Sequence, residues 1–322
     1  MEKFNYSIIG CGKIAGGYEE LKVLNGIYTH ANAFSKTKKF INLICIDNNY
    51  KKAVNFKNKW KFKYASNNME LLNKFYNELI IVSSDTSSHF KVLINITKLK
   101  KKPRIVLCEK PATINYKQCK FIVDLYKKKK IHLVVNFHRR WDKTTQEISK
   151  KIHGHFFGNL QGGYFIYNKG LLNTGSHAID LLNLFFKKFK IVNVGQRIYD
   201  YNKKDPTIPF VVNVDGANIN FICMKENLVN MMEIKLIFSK KILESNDGGI
   251  SWHLKSNKNK NILNYDKSFY KYDFYKKTYN RTFFNMAKDI YYNLKKGKKL
   301  SCDSKNALEV HKQIKKISLN AK

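Results

Sequence analysis

Phe4-Asn-Tyr-Ser-Ile-Ile9 runs straight into Gly10-Cys11-Gly12-Lys13-Ile14-Ala15-Gly16-Gly17, and the fold turns on this junction. The first six residues read as a strand. The glycines then supply what a strand-to-helix turn around a diphosphate needs. Gly10 permits the tight turn, Gly12 lets backbone amides approach the phosphates, and Ala15 is small enough for close packing. Lys13 and Ile14 fall within the same loop. A second strand, Phe40 to Ile46, closes on Asp47, where a carboxylate can accept hydrogen bonds from both hydroxyls of an adenosine ribose. Asp47 stands farther from Gly12 than the usual ~20 residues, and a loop at Gly16 to Tyr28 accounts for the excess. The carboxylate would repel a 2′-phosphate, which favours NAD. Lys51 and Lys52 keep NADP as the alternative.

Working outward, the grammar is an alternation of strands and helices. Helices are expected at about Thr29 to Lys38, Lys51 to Lys59, Met69 to Phe75, Ser87 to Leu99 and Asn115 to Lys128. Strands are expected at Glu78 to Val82, Arg104 to Cys108 and Ile131 to Val135. That pattern is a parallel, doubly wound α/β sheet. Past residue 136 it changes. Helices at Lys143 to Ile152 and Ser176 to Phe186 flank a strand at Leu160 to Tyr167. Long β stretches follow at Ile191 to Tyr199, Gly216 to Met224, Val229 to Ser239, Lys241 to Ser245 and Ile250 to Leu254. Turns at Lys225-Glu226-Asn227 and Asn246-Asp247-Gly248-Gly249 should join neighbours as hairpins. Two helices near Tyr279 to Lys295 and Ser304 to Ser318 end the chain, the first stopped by Gly297. The expected domains are 1–136, binding a dinucleotide, and 137–322, an α+β domain with a large, mainly antiparallel sheet. The last helix packs back on the first domain in that reading.

The 322 residues suit two domains, and 43% hydrophobic content excludes a disordered chain. No apolar run reaches the ~20 residues of a membrane span. The start of the chain lacks a secretory signal pattern. The six cysteines (Cys11, Cys45, Cys108, Cys119, Cys223 and Cys302) show no metal-ligand spacing, so no metal and a reducing cytoplasm are expected. The net charge of +36 raises the question of nucleic acid, but only five of the 60 basic residues are arginine. Sequence-specific recognition favours the bidentate guanidinium, so no specific nucleic-acid partner is expected.

Four motifs in order carry a resemblance: Gly-Cys-Gly-Lys-Ile-Ala at 10–15, Cys-Glu-Lys-Pro at 108–111, Asn-Phe-His-Arg-Arg at 136–140, and Gly-Leu-Leu-Asn-Thr-Gly-Ser-His-Ala-Ile-Asp at 170–180. Together the chain resembles the glucose–fructose oxidoreductase / inositol dehydrogenase / rhizopine catabolism (Gfo/Idh/MocA) family of NAD(P)-dependent oxidoreductases. The resemblance implies an N-terminal Rossmann domain, a C-terminal sheet often used in oligomers, and hydride transfer at a sugar or cyclitol carbon. It places Glu109 and Lys110 beside the nicotinamide, with Lys110 touching the reacting hydroxyl. Ser84, Thr86 and His89 fall where the family has a Thr-Pro turn near the cofactor, although Asp85 replaces the proline. The glycine loop and Asn173-Thr-Gly-Ser-His177 are similar to members associated with surface-polysaccharide and nucleotide-sugar metabolism.

The residues suggest their own chemistry. His177, expected in the first turn of a helix capped by Thr174 or Ser176, would stay neutral and able to accept a proton. Where many family members carry an aspartate four residues before this histidine, this chain has Asn173, which can position but cannot titrate. Lys110 and His177 would therefore share proton transfer, and Arg139, Tyr167 and Lys169 are candidates to bind the carbohydrate. A homodimer or homotetramer is the expected assembly. A catalytically silent nucleotide-binding sensor or scaffold is the competing reading.

Overall fold

The computed structural model describes residues 2–18, 26–225, 229–257 and 270–322. The chain divides into two compact units, Met1–Trp141 with Asn280–His311, and Asp142–Tyr279 with Lys312–Lys322.

In the first unit, β1 (Phe4–Ile9), β2 (Phe40–Ile46), β3 (Tyr64–Ser66), β4 (Leu79–Val82), β5 (Ile105–Cys108) and β6 (His132–Val135) form one sheet in the order β3-β2-β1-β4-β5-β6. Every pairing in it is parallel. Helices α1 (His30–Thr37), α2 (Tyr50–Trp60), α3 (Thr86–Thr97) and α4 (Tyr116–Lys128) make the crossovers. Ile8, Ile44, Ile80, Val82 and Val106 are fully buried between the layers, each worth roughly 1.5–3 kcal/mol of burial. The side chains of Asn49 and Asn115 accept from Lys52 N and Gln118 N, fixing where α2 and α4 begin. The order reverses between β1 and β4, and such a switch point is where open parallel sheets bind ligands. Helix α7 (Thr282–Lys296) also packs in this unit and ends at Gly297 in the left-handed conformation. The expectation for 69–75 shortens to a 3-10 turn, Met69–Asn73, and β3 was too short to show a period.

The second unit opens with α5 (Lys143–His153), capped by the Asp142 carboxylate, followed by β7 (Leu160–Tyr167) and α6 (Ser176–Phe185). Strands β8 (Lys190–Val194), β9 (Ile198–Asn202), β10 (Asp205–Thr207), β11 (Phe210–Val214), β12 (Ala217–Cys223), β13 (Met232–Phe238), β14 (Lys241–Ser245), β15 (His253–Asn257) and β16 (Tyr270–Phe274) come next. Helix α8 (Ser304–Asn320) closes the chain. Eight strands form one sheet in the order β16-β15-β14-β13-β7-β12-β11-β8, antiparallel except for the β7–β12 pair.

The second unit departs from the sequence expectations at several points. The stretch 191–199 is two strands, because Gly195 N turns away to Pro209 O and the second half leaves for a separate ribbon, β9–β10. β12 and β13 do not pair as a hairpin, because β7 lies between them. The proposed turn at 225–227 lies largely outside the described residues. The turn after β14 does join a hairpin, but Asp247 gathers the amides of Ile250 and Ser251, so β15 starts only at His253. β11 was hidden behind Pro206 and Pro209.

Candidate functional site

The glycine turn sits at the switch point. Gly10 has φ +92°, and a Cβ there would lie 2.4 Å from Ser84 N, so only glycine allows β1 and the end of β4 to approach this closely. Ser83 Oγ closes the contact by donating to Gly10 O at 2.8 Å. Gly12 differs, since a Cβ built on it meets nothing within 4 Å. Beyond it the chain makes a π-helical turn, Lys13–Gly17, in which Gly16 N and Gly17 N donate back to Gly12 O. Ala15 is fully buried, and Lys13 is exposed. Asp47, 7% exposed, accepts from Cys11 N at 2.9 Å and Asn49 N at 3.1 Å, with Lys52 Nζ 3.5 Å away. A cavity of about 300 Å³ opens beside it, lined by Gly10, Gly12, Asp47, Asn48, Ser84 and Ser88 among others. A dinucleotide fits this set. Open space at Gly12 suits a diphosphate, and a hydrogen-bond acceptor, Asp47, stands at the end of β2 for ribose hydroxyls.

Glu109 and Lys110 follow the carboxyl end of β5. Glu109 Oε1 accepts from Asn136 Nδ2 at 2.6 Å and lies 2.7 Å from His30 Nε2. Oε2 accepts from the Lys110 backbone N–H. Burial works against a charged Glu109, but the hydrogen bond and electrostatic pull of His30, with Asn136 and Lys110, outweigh it and hold the carboxyl below its ordinary range. His30 Nδ1 and Asn136 Oδ1 are buried without a hydrogen-bond partner among the described residues. His138 is pushed well below the imidazole range by burial, then by Arg139 and Lys110. His89 bridges the two strand ends, Nδ1 facing Pro111 O at 3.0 Å and Nε2 facing Ser84 O at 2.8 Å. Thr86 begins α3, where Asp85 makes no side-chain cap. The first unit thus brings the glycine turn, Asp47, Ser84 and the Glu109–Lys110 corner to one edge of its sheet.

In the second unit the motif loop follows β7. Lys169 is in the left-handed conformation and Gly170–Gly175 form a π-helical turn that runs directly into α6. His177 is therefore inside a continuous helical run and not at a bare N-terminus. Neither Thr174 nor Ser176 caps it, because Gly175 is already helical and Ser176 Oγ donates to Asn173 O. The amides at the start of that run are taken by Asp205, whose Oδ1 accepts from Leu172 N at 2.7 Å and Oδ2 from Asn173 N at 2.9 Å. Asp200 accepts from Lys169 N at 2.6 Å and from Thr207 Oγ1, which in turn accepts from Gly170 N. Sequence reasoning gave these two aspartates no role, since neither stands in a motif, and read no site role for His30. Asn173 Nδ2 donates to Lys169 O at 3.1 Å. Tyr167 is fully buried, its hydroxyl donating to Ile208 O at 2.6 Å and accepting from Ile208 N. Arg139 belongs to the first unit, next to His138.

No curated relative matches at the sequence level. Similar solved structures include levoglucosan dehydrogenase in complex with NADH and levoglucosan (TM-score 0.80, 14% identity, covering 99% of this chain and 97% of that one). An oxidoreductase from Agrobacterium radiobacter in complex with NAD+, L-tartaric acid and magnesium is similar at TM-score 0.77 and 12% identity, over 99% and 96% of the two chains. The super-repressor mutant of Gal80p from Saccharomyces cerevisiae reaches 0.78 at 12% identity, over 99% and 96%. At such identities these show the fold. Residues 4–137 match the model described as "Oxidoreductase family, NAD-binding Rossmann fold", the Gfo/Idh/MocA family that the chain's motifs resemble.

Proposed function

We propose that this protein is an NAD-dependent oxidoreductase acting at a carbinol or keto carbon of a sugar, cyclitol or nucleotide-linked sugar, with NADP as the alternative cofactor. The observation that carries the reading is Asp47, a nearly buried carboxylate held by Cys11 N and Asn49 N beside the cavity at the switch point. When bound, the nicotinamide supplies the hydride acceptor or donor. In this reading Gly10, Gly12, Lys13, Ile14 and Ala15 hold the diphosphate, Asp47 the ribose, and Ser84, Thr86 and Glu109 the nicotinamide half. His89 supports them by tying Ser84 to Pro111.

Lys110 sets the electrostatics at the reacting oxygen, and His177 takes or returns the hydroxyl proton. Asn173 positions, and Lys169 and Arg139 contact substrate hydroxyls or charge. Tyr167, with its hydroxyl already committed to Ile208, acts through packing of the motif loop. What supports pairing Lys110 with His177 is the order of the four motifs. All six cysteines are free thiols, in keeping with a cytoplasmic location. The broad sheet of the second unit supports assembly as a homodimer or homotetramer.

Asn173 favours one competing reading, a nucleotide-binding sensor or scaffold without turnover. NADH consumption across a panel of keto-sugars decides between them. The enzyme reading expects turnover of at least one member, whereas saturable NADH binding with no turnover across the panel would leave the sensor.

A further inference from the structure

In the first unit two orphaned polar atoms flank a single carboxylate. Glu109 Oε1 meets His30 Nε2 at 2.7 Å and Asn136 Nδ2 at 2.6 Å, three residues drawn from places 79 and 27 positions apart. A carboxylate only accepts, so the His30 nitrogen facing it carries the proton and Nδ1 is the one left over. His30 Nδ1 and Asn136 Oδ1 have no hydrogen-bond partner among the described residues, and both side chains are fully buried. Phe283 holds the His30 ring edge-on, with ring centres 5.2 Å apart. A buried network with unpaired members serves folding less well than an apolar core of the same shape, so it calls for another explanation. Its place supplies one. Glu109 N donates to Val82 O and Asn136 N to Cys108 O, which fixes both backbones at the carboxyl ends of β5 and β6. One residue on, the Lys110 N–H donates to Glu109 Oε2 at 3.3 Å.

We infer that His30 is a positioning residue for Lys110: its Nε2–H locks the Glu109 carboxylate, and the locked carboxylate fixes the backbone that carries the Lys110 side chain. The inference rests on the oxidoreductase reading above and adds to it a residue remote in sequence from every motif. The terminal torsion of a glutamate is broad, so with Asn136 alone the carboxylate would still turn. A second donor, from the first turn of α1, converges on the same oxygen and removes that freedom. The other oxygen is then left in one place for the Lys110 amide. A reacting group misplaced by about an ångström loses up to ~10²-fold in rate, so the effect of His30 belongs in turnover and not in binding.

The test compares His30→Leu, which removes the donor, with His30→Gln, whose terminal amide returns one at the position of Nε2. Amide hydrogen exchange in the cofactor-free protein is expected to quicken at least tenfold at Lys110 in His30→Leu, with β5 unchanged, and to return to the wild-type rate in His30→Gln. With the keto-sugar turned over fastest in the panel above, His30→Leu should lose ten- to a hundredfold in kcat, with KM and NADH affinity within twofold. His30→Gln should recover to within threefold of wild type. Added to Glu109→Gln, His30→Leu should cost nothing further, because the two act in series. The inference is overturned if His30→Leu exchanges or turns over like wild type, if its loss falls on KM or NADH affinity, or if His30→Gln does not rescue. A double variant that loses the product of the two single losses overturns it as well. Should His30→Leu not fold, His30→Asn takes its place, since its shorter amide mimics Nδ1 and not Nε2, and a wild-type exchange rate there overturns the inference. If no member of the panel is turned over, the oxidoreductase reading falls by itself, and exchange at Lys110 still decides whether His30 locks this corner.

Discussion

Two glycines two residues apart do different work, and substitution separates them. Gly10→Ala places a methyl within 2.4–2.6 Å of the Ser83–Ser84 backbone at a positive φ, so it should cost a few kcal/mol of stability, read as a lowered Tm. For His177→Ala, a general acid–base role predicts a loss of ~10²–10⁴ in kcat. Unchanged turnover at saturating substrate would remove His177 from the mechanism. Glu109 yields a pH signature. Its folded pKa lies below the ordinary 4.5, so its ionised, hydrogen-bonded form stabilises the fold above that value and loses this contribution as pH falls through the folded pKa. Denaturant unfolding of wild type and Glu109→Gln should therefore differ most at neutral pH and converge in acid. Legibility at this scale followed motifs. Asp47 and Lys110 could be singled out as candidates because a turn or tripeptide flagged them. Asp205 could not, because a carboxylate that binds amides across a chain reversal leaves no local spacing.

Among the elements, the parallel half was read almost to the residue. Each strand there is a short apolar run bounded by polar residues, and each crossover helix has its own period. The second unit was harder because its pairing is non-local. β7 separates β12 from β13, and nothing local in the strands on either side of residues 225–231 announces the intruder. The cap on His177 failed for a related reason, since the helical run starts at Gly170 and its amides are met by Asp205 from a distant strand. Helix α8 supplies an independent test. Burial lowers the His311 pKa from 6.5 to about 4. The unfolded chain takes up that proton first, so stability is full above pH 6.5 and falls as pH drops toward 4, by on the order of 3 kcal/mol. Comparison with His311→Asn, which cannot titrate, should isolate that slope in unfolding curves taken between the two pH values. A parallel slope in both proteins would assign it elsewhere.

For the whole molecule, the net charge of +36 dominates. Lysines repelling one another destabilise a compact state, and salt screens them within about 10 Å at 0.1 M. Raising sodium chloride from 10 to 300 mM should therefore raise Tm, and a Tm that stays flat or falls would show the surface charge to be energetically idle. Among the described residues no helix is long and apolar enough to cross a membrane, and no cluster of three or more His, Cys, Asp or Glu could hold a metal ion. The proposed function places the chemistry on a dinucleotide held at the switch point, and Gly12 is where that proposal is most exposed. Because nothing lies within 4 Å of a Cβ at this position, Gly12→Val should fold like wild type while filling the space assigned to the diphosphate. Calorimetric titration of both proteins with NADH is the direct measurement. The account predicts one saturable site per chain in the wild type and at least a hundredfold weaker binding in a Gly12→Val protein of unchanged Tm. Equal binding by the two proteins, or no binding by the wild type at millimolar NADH, would contradict it.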